Sequence, residues 1–196
     1  TTMINVVVLV SGGGTNLQAL IDAEKSGVIK HGKIKLVVSS NDKAYALKRA
    51  ELNNIDTVSV SKKALGSKAF EEQIIASLEK YEIDLIVLAG FMMLLPQNII
   101  DTYRDKILNI HPSLLPKYGG KGMYGHHVHE AVLANNEKES GITIHLVNEI
   151  YDSGKPLFQA TCPVLENDTP DSLAARVHAL EYRFYPKIVK EFVERK

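Results

Sequence analysis

Through the first half of the chain, apolar positions gather into short β-branched runs that alternate with stretches of helical periodicity. Residues 6–10, 34–39, 57–60 and 84–89 read as strands, and residues 16–25, 43–52 and 67–81 as the helices between them. The strand runs are nearly all apolar rather than alternating, as expected when helices cover both faces of a sheet. This rhythm predicts βαβ units. The fold class is therefore α/β: a doubly wound, mostly parallel sheet with helices on both faces and ligands at the carboxyl ends of its strands.

Beyond residue 106 the pattern loosens. Residues 107–110 form a short apolar strand that Pro112 stops, because proline lacks a ladder donor and disfavours helical geometry at His111. Residues 117–125 carry four glycines and read as a mobile loop. A short helix over 129–135, strands over 141–147 and 156–164, and a long C-terminal helix complete the pattern, with Thr169 as N-cap and Pro170 in the first helical position. No repeat or linker interrupts the chain, so residues 1–196 are expected to form one domain.

Composition narrows the function classes. The chain is 45% hydrophobic and 23% charged, which is ordinary for a globular domain with a full core. Lys plus Arg equals Asp plus Glu, at 23 each, so no global field draws in nucleic acid or an anionic membrane. Any anionic ligand must be held by local geometry. Cys162 is the sole cysteine, which excludes an internal disulfide and fits a reducing, cytoplasmic setting. The apolar opening at 4–10 is too short to span a bilayer.

Candidate chemistry lies where strands are expected to end. Asn109 and His111 are two residues apart on an extended segment and point to one side, where an amide and an imidazole can both face one ligand atom. Such a pair suits a reaction in which negative charge grows on oxygen. An isolated Asn-x-His is equally what an ordinary strand end looks like. Ser11-Gly12-Gly13-Gly14-Thr15-Asn16 follows the first strand and opens the first helix, which makes an anion site of backbone N–H groups. Leu17 stands where the dinucleotide fingerprint needs its third glycine, and the Walker pattern is missing as well, so a simple phosphate is the natural guest. Asp42 could mimic a ribose-binding acid, but its Ser-Ser-Asn-Asp context suits capping better.

The run from Ala89 to Pro96 is apolar and follows the fourth strand, a place to clamp a flat heterocycle or simply part of the core. Asp152 sits in a Tyr-Asp-Ser-Gly turn. Beside His111 its carboxylate would favour the imidazolium form. The His126-His127-x-His129 cluster invites a metal reading, but no second ligand cluster accompanies it and no metal is expected.

Taken in order, these motifs resemble the folate-dependent formyltransferases, and among them the phosphoribosylglycinamide formyltransferases of purine synthesis. The similar segments are Ser11 to Gln18, Ala89-Gly90-Phe91-Met92, Asn109-Ile110-His111-Pro112-Ser113-Leu114-Leu115-Pro116 and Tyr151-Asp152-Ser153-Gly154. The signature around His111 is shared with methionyl-tRNA formyltransferase and formyltetrahydrofolate hydrolase. Each of those has an additional domain for which 196 residues leave no room, and the glycine loop suits a phosphoribosyl acceptor.

The resemblance implies a formyltransferase (Rossmann-like) fold and roles for particular residues. Asn109, His111 and Asp152 would be catalytic. Gly13, Gly14, Thr15 and Asn16 would hold the acceptor phosphate, with Glu181 on the glycinamide end. Lys68, Met92, Met93, Leu94, Leu95, Asn109, Asn148, Glu149, Ile150, Tyr151 and Asp152 would receive the folate, with 10-formyltetrahydrofolate as cosubstrate and 5-phosphoribosylglycinamide as acceptor. Two departures stand out: the family often has Arg where Met93 stands, and the 117–129 loop is longer than in some members. The implied partners are these small molecules alone, with no nucleic acid and no membrane, for a monomer or homodimer. A formyltetrahydrofolate hydrolase and a non-catalytic nucleotide-binding module are the alternatives.

Overall fold

The computed structural model describes residues 2–148 and 156–195. In chain order the elements are β1 (Ile4–Val10), α1 (Thr15–Lys25), β2 (Gly32–Ser39), α2 (Tyr45–Leu52), β3 (Asp56–Ser59), α3 (Lys62–Leu65), α4 (Ser67–Lys80), β4 (Leu85–Leu88), α5 (Gln97–Thr102), β5 (Ile107–His111), α6 (His126–Ala134), β6 (Glu139–Leu146), β7 (Pro156–Pro163) and α7 (Pro170–Glu194). The strands form one seven-stranded sheet in the order β3-β2-β1-β4-β5-β6-β7. Pairings from β3 across to β5 are parallel, and β6 and β7 join antiparallel. Strand order reverses beside β1, between the β2 and β4 sides, which opens a crevice at the carboxyl ends of β1 and β4.

The apolar runs divide by parity. Val6, Val8 and Val10 face a core shared with α1, α2, α6 and α7, whereas Val7 and Leu9 face one shared with α4 and α5. Both faces of β1 are thus sealed, as its unbroken hydrophobicity requires. Tyr185 of α7 is fully buried. Its hydroxyl donates to the Leu88 carbonyl at 2.6 Å and lies 3.3 Å from the Leu108 carbonyl, which ties α7 to the end of β4 and to β5 beside it. Burial pushes the Tyr185 phenol well above its usual range, so it remains a donor.

Several boundaries differ from the sequence reading for visible reasons. Helix α2 starts at Tyr45 rather than 43, because Asn41 forms the turn itself: its Oδ1 accepts the Lys43 N–H at 3.0 Å and its carbonyl accepts the Ala44 N–H at 3.1 Å. Asn41, not Asp42, does the local capping, and α2 itself has no side-chain cap. Helix α6 begins at His126, three residues early, directly after Gly125 at φ 55°. The short α3 and α5 lacked enough turns to show a period. Strand β3 lies at the sheet edge and is polar at both ends, unlike its inner neighbours.

The start of α7 matches its expected cap and adds to it. Thr169 Oγ1 accepts the Ser172 N–H, and Ser172 Oγ accepts the Thr169 N–H, a reciprocal capping box with Pro170 in the first turn. Beside it Asp168 accepts a two-pronged pair of bonds from Arg176 at 2.8 and 2.9 Å. Those bonds hold the Asp168 carboxyl well below the usual carboxylate range. Asp168→Ala should lower stability at neutral pH by roughly 1.5–3 kcal/mol, from the loss of charge-assisted bonds. A depressed carboxyl contributes fully above its unfolded value of about 3.9 and loses that contribution as pH falls through the lower folded value. Thermal melts should therefore show the gap between parent and variant closing only in strong acid.

Candidate active site

Four chain segments meet at the carboxyl edge of the parallel strands and line a cleft of about 500 Å³, the size of a small-molecule site. They are the glycine loop after β1, the turn after β4, the end of β5 with the glycine-rich segment behind it, and one face of α7, with His145 and Val147 at the end of β6 completing the lining.

The glycine loop is held from behind. Gly14 takes φ 76° as the N-cap of α1, and a Cβ there would lie 2.5 Å from the Ala46 Cβ, so only glycine lets α2 approach. The Gly12 carbonyl accepts the Ala46 N–H at 3.1 Å, and the Gly13 carbonyl accepts Arg49 Nε–H at 2.7 Å. Both carbonyls are thereby turned toward α2 and away from the cleft. Helix α1 has no side-chain cap, so its first N–H groups and its dipole are left for a ligand anion.

The opposite wall is apolar. Gly90, at φ 74°, starts the turn after β4, and Met92 and Leu94 remain 57% and 49% exposed while Leu95 is buried. Exposed apolar side chains clustered at a cleft are surface for a flat ring to cover.

Between these walls stand Asn109 and His111, both lining the cleft as their two-residue spacing predicts. Asn109 pairs across the sheet with His145 of β6. The His145 ring has Nδ1 3.2 Å from the Leu146 carbonyl and Nε2 3.2 Å from Asn109 Nδ2. A carbonyl only accepts, so Nδ1 carries the proton and Nε2 accepts from the Asn109 amide. That fixes the amide with its NH₂ group against His145. The buried His111 ring donates from Nε2 to the Tyr118 carbonyl at 2.7 Å. Behind it, Thr143 Oγ1 accepts from Leu115 N–H and Gln159 Nε2 and donates to the Ser113 carbonyl, which fastens the 112–116 loop to β6 and β7.

On α7, Glu181 is 4% exposed and its Oε1 accepts from His178 Nδ1 at 2.6 Å and from Asn16 Nδ2 at 3.4 Å. The Glu181 hydrogen bond raises His178 above its ordinary value, burial opposes this, and the carboxylate charge adds to the rise. His129 goes the other way, down to about 4, through burial and then the neighbouring His178, His126 and His111. His126 lies 3.5 Å from Asp171, and His127 lies 4.0 Å from Glu130. Among the described residues no three metal-ligating side chains converge.

The formyl transferase family profile matches residues 4–189 of this chain. The chain belongs to that family. A phosphoribosylglycinamide formyltransferase of Escherichia coli is 39% identical over 191 residues, covering 97% of this chain and 87% of the relative. A chloroplastic phosphoribosylglycinamide formyltransferase of Vigna unguiculata is 40% identical across 95% of this chain, which spans 60% of that longer protein. Among solved structures, glycinamide ribonucleotide transformylase 1 from Symbiobacterium toebii superposes with a TM-score of 0.90 at 38% identity, covering 98% of this chain and 88% of the other.

As a formyl transferase, the chain gathers most of its expected site residues at one cleft: Gly13, Gly14, Thr15, Asn16, Met92, Met93, Leu94, Leu95, Asn109, His111 and Glu181 all line it. Lys68 and Asn148 do not. Lys68 is exposed in the first turn of α4, and the Asn148 amide is engaged with Asp105, accepting its N–H at 3.0 Å and donating to its carboxylate at 2.9 Å. Glu149, Ile150, Tyr151 and Asp152 fall outside the described residues. His145, His178 and Arg49 were not anticipated. The His178–Glu181 pair was visible as an i,i+3 spacing, whereas His145 needed the strand register.

Two outcomes test this geometry. Gly14→Ala should drive α2 from the loop and abolish titration of α1 amide resonances by inorganic phosphate. Glu181→Gln should lower the His178 titration midpoint, followed by imidazole NMR, since the largest cause of its elevation is that carboxylate.

Proposed function

We propose that the protein transfers the formyl group of 10-formyltetrahydrofolate to the amine of 5-phosphoribosylglycinamide, a step of purine synthesis. The observation that carries this reading is the arrangement of the cleft. An open helix N-terminus suited to a phosphate lies on one wall and an apolar turn suited to a pterin on the other, with Asn109 and His111 between them. The names of the relatives given above support the acceptor and the formyl transfer.

The acceptor amine attacks the formyl carbon directly. Its lone pair forms the new C–N bond while the carbonyl pair moves onto oxygen, giving a tetrahedral oxyanion that Asn109 and protonated His111 stabilise by hydrogen bonds. His145 holds the Asn109 amide in one orientation, and Tyr118 sets the plane of the His111 ring. Collapse breaks the bond to folate N10, and the proton lost by the amine passes to that nitrogen. Asp152 would favour the imidazolium form of His111 and help move the proton. Backbone N–H groups of Gly13 to Asn16 would anchor the phosphate. Thr15 Oγ, Asn16 and Glu181 would orient the rest of the acceptor, while Met92, Met93, Leu94 and Leu95 would cover the pterin. The 148–152 segment would help receive the pterin, and Lys68 would meet the folate tail.

Incubation with the formyl donor, with and without the acceptor, tests the reading. Formyl transfer that requires the acceptor supports it, whereas release of formate at full rate without acceptor means a hydrolase. Asn109→Ala and His111→Ala should each lower kcat by about 10²–10³, the usual cost of losing one oxyanion donor. Asp152→Asn should lower kcat and displace the acid limb of the pH profile, and unchanged turnover and pH dependence would exclude the role given to Asp152.

A further inference from the structure

The hydroxyl of Ser11 joins the two walls of the cleft. Ser11 is the first residue after β1, and Gly12 to Asn16 follow it directly. Its Oγ accepts the Met92 N–H at 2.9 Å and lies 2.5 Å from the Ser40 hydroxyl at the end of β2. Ser40 is anchored in turn, its N–H donating to the Val10 carbonyl at 3.0 Å. The serine pair thus links the head of the glycine loop to the sheet, and one of its bonds reaches across to the tip of the apolar turn.

That turn has little other polar attachment. Ala89, just before it, donates its N–H to the Leu9 carbonyl. From 90 to 95, the Met92 N–H is the one backbone donor with a hydrogen bond among the described residues. Packing of Phe91, Met93 and Leu95 seats the turn on the core, and the one backbone N–H bond within it, among the described residues, runs to an oxygen of the glycine loop's own first residue.

We infer that Ser11 is a positioning residue that couples the two binding walls, so that a phosphate-bearing acceptor settling on the loop tightens the grip of the opposite turn on the formyl donor. Ser11 touches neither reacting group. It acts through Met92: a bound phosphate orders Gly12 to Asn16, the ordered loop fixes Ser11 Oγ, and the fixed oxygen holds the turn against the pterin. Binding coupling is reciprocal, so the donor tightens the acceptor by the same factor. This inference rests on the two-substrate reading above.

The test titrates a 10-formyltetrahydrofolate analogue that cannot release its formyl group, by calorimetry, with and without 5-phosphoribosylglycinamide. In the unsubstituted protein the acceptor should tighten the analogue by about fivefold or more, the low end of typical coupling. Ser11→Ala should reduce that ratio to under about twofold, and Ser11→Thr, which keeps a hydroxyl, should restore it. A packing role alone predicts the same ratio in all three proteins, or its loss in both variants, and either result overturns the proposal. So does an unsubstituted protein in which the acceptor leaves donor affinity unchanged. Formyl transfer is measured alongside: its absence overturns the functional reading, whereas transfer with an unchanged ratio in Ser11→Ala overturns the coupling alone.

Discussion

The antiparallel seating of β6 on β5 is the constraint on which the site depends. Up to β5 the sheet is parallel, and every strand delivers its carboxyl end to the same edge. Had β6 also run parallel, its residues would have met β5 in a different register and on slanted bonds. Running the other way, it sets His145 opposite Asn109 and Thr143 opposite His111. One strand thereby holds the Asn109 amide, through His145, and the loop that follows His111, through Thr143. The support has little slack: Gly141, farther along β6, has no room even for a methyl group, since a Cβ there would lie 1.9 Å from the Ala160 carbonyl.

The same strand carries the fastening of the loop that follows His111. Ser113 and Thr143 are fully buried, so their polar atoms must be satisfied inside the protein. Ser113 Oγ donates to the Lys117 carbonyl at 2.6 Å, and Thr143 and Gln159 take up the remaining groups of the turn. The prolines of this segment give backbone rigidity, and the network gives placement. Tyr185 completes the frame from the other face, its phenol set between the neighbouring strands β4 and β5. The geometry at the tip of β5 thus derives from buried groups packed behind the cleft.

Sequence order and hydrophobic rhythm carried the architecture well, because β1, β2 and β4 are apolar on both faces and α1, α4 and α7 are long enough to show a period. Pairs close in sequence were legible too, as Asn109 and His111 were from spacing alone. Contacts set by register were not. Nothing along the chain reveals that His145, 36 residues on, would face Asn109, or that Arg49 would reach back 36 residues to Gly13. Asn148 was read as a folate contact from its place in the chain, and its amide bonds Asp105, a pairing that only the folded chain reveals. Turn chemistry likewise misled by one residue at Asn41, where either of two adjacent turn formers fits the pattern.

Helix α1 begins without a side-chain cap, and the absence has a thermodynamic side as well as a functional one. A serine or aspartate N-cap is commonly worth about 1 kcal/mol of folding stability. Here the position belongs to Gly14, and the unfilled donors are left to water whenever the cleft is empty. An anion that docks there acts as the missing cap, and because it binds the folded chain and not the unfolded one, its binding free energy is added to the stability of the fold. A ligand of that kind would complete the fold, and resistance to unfolding, and so to proteolysis of the unfolded chain, would rise with its supply.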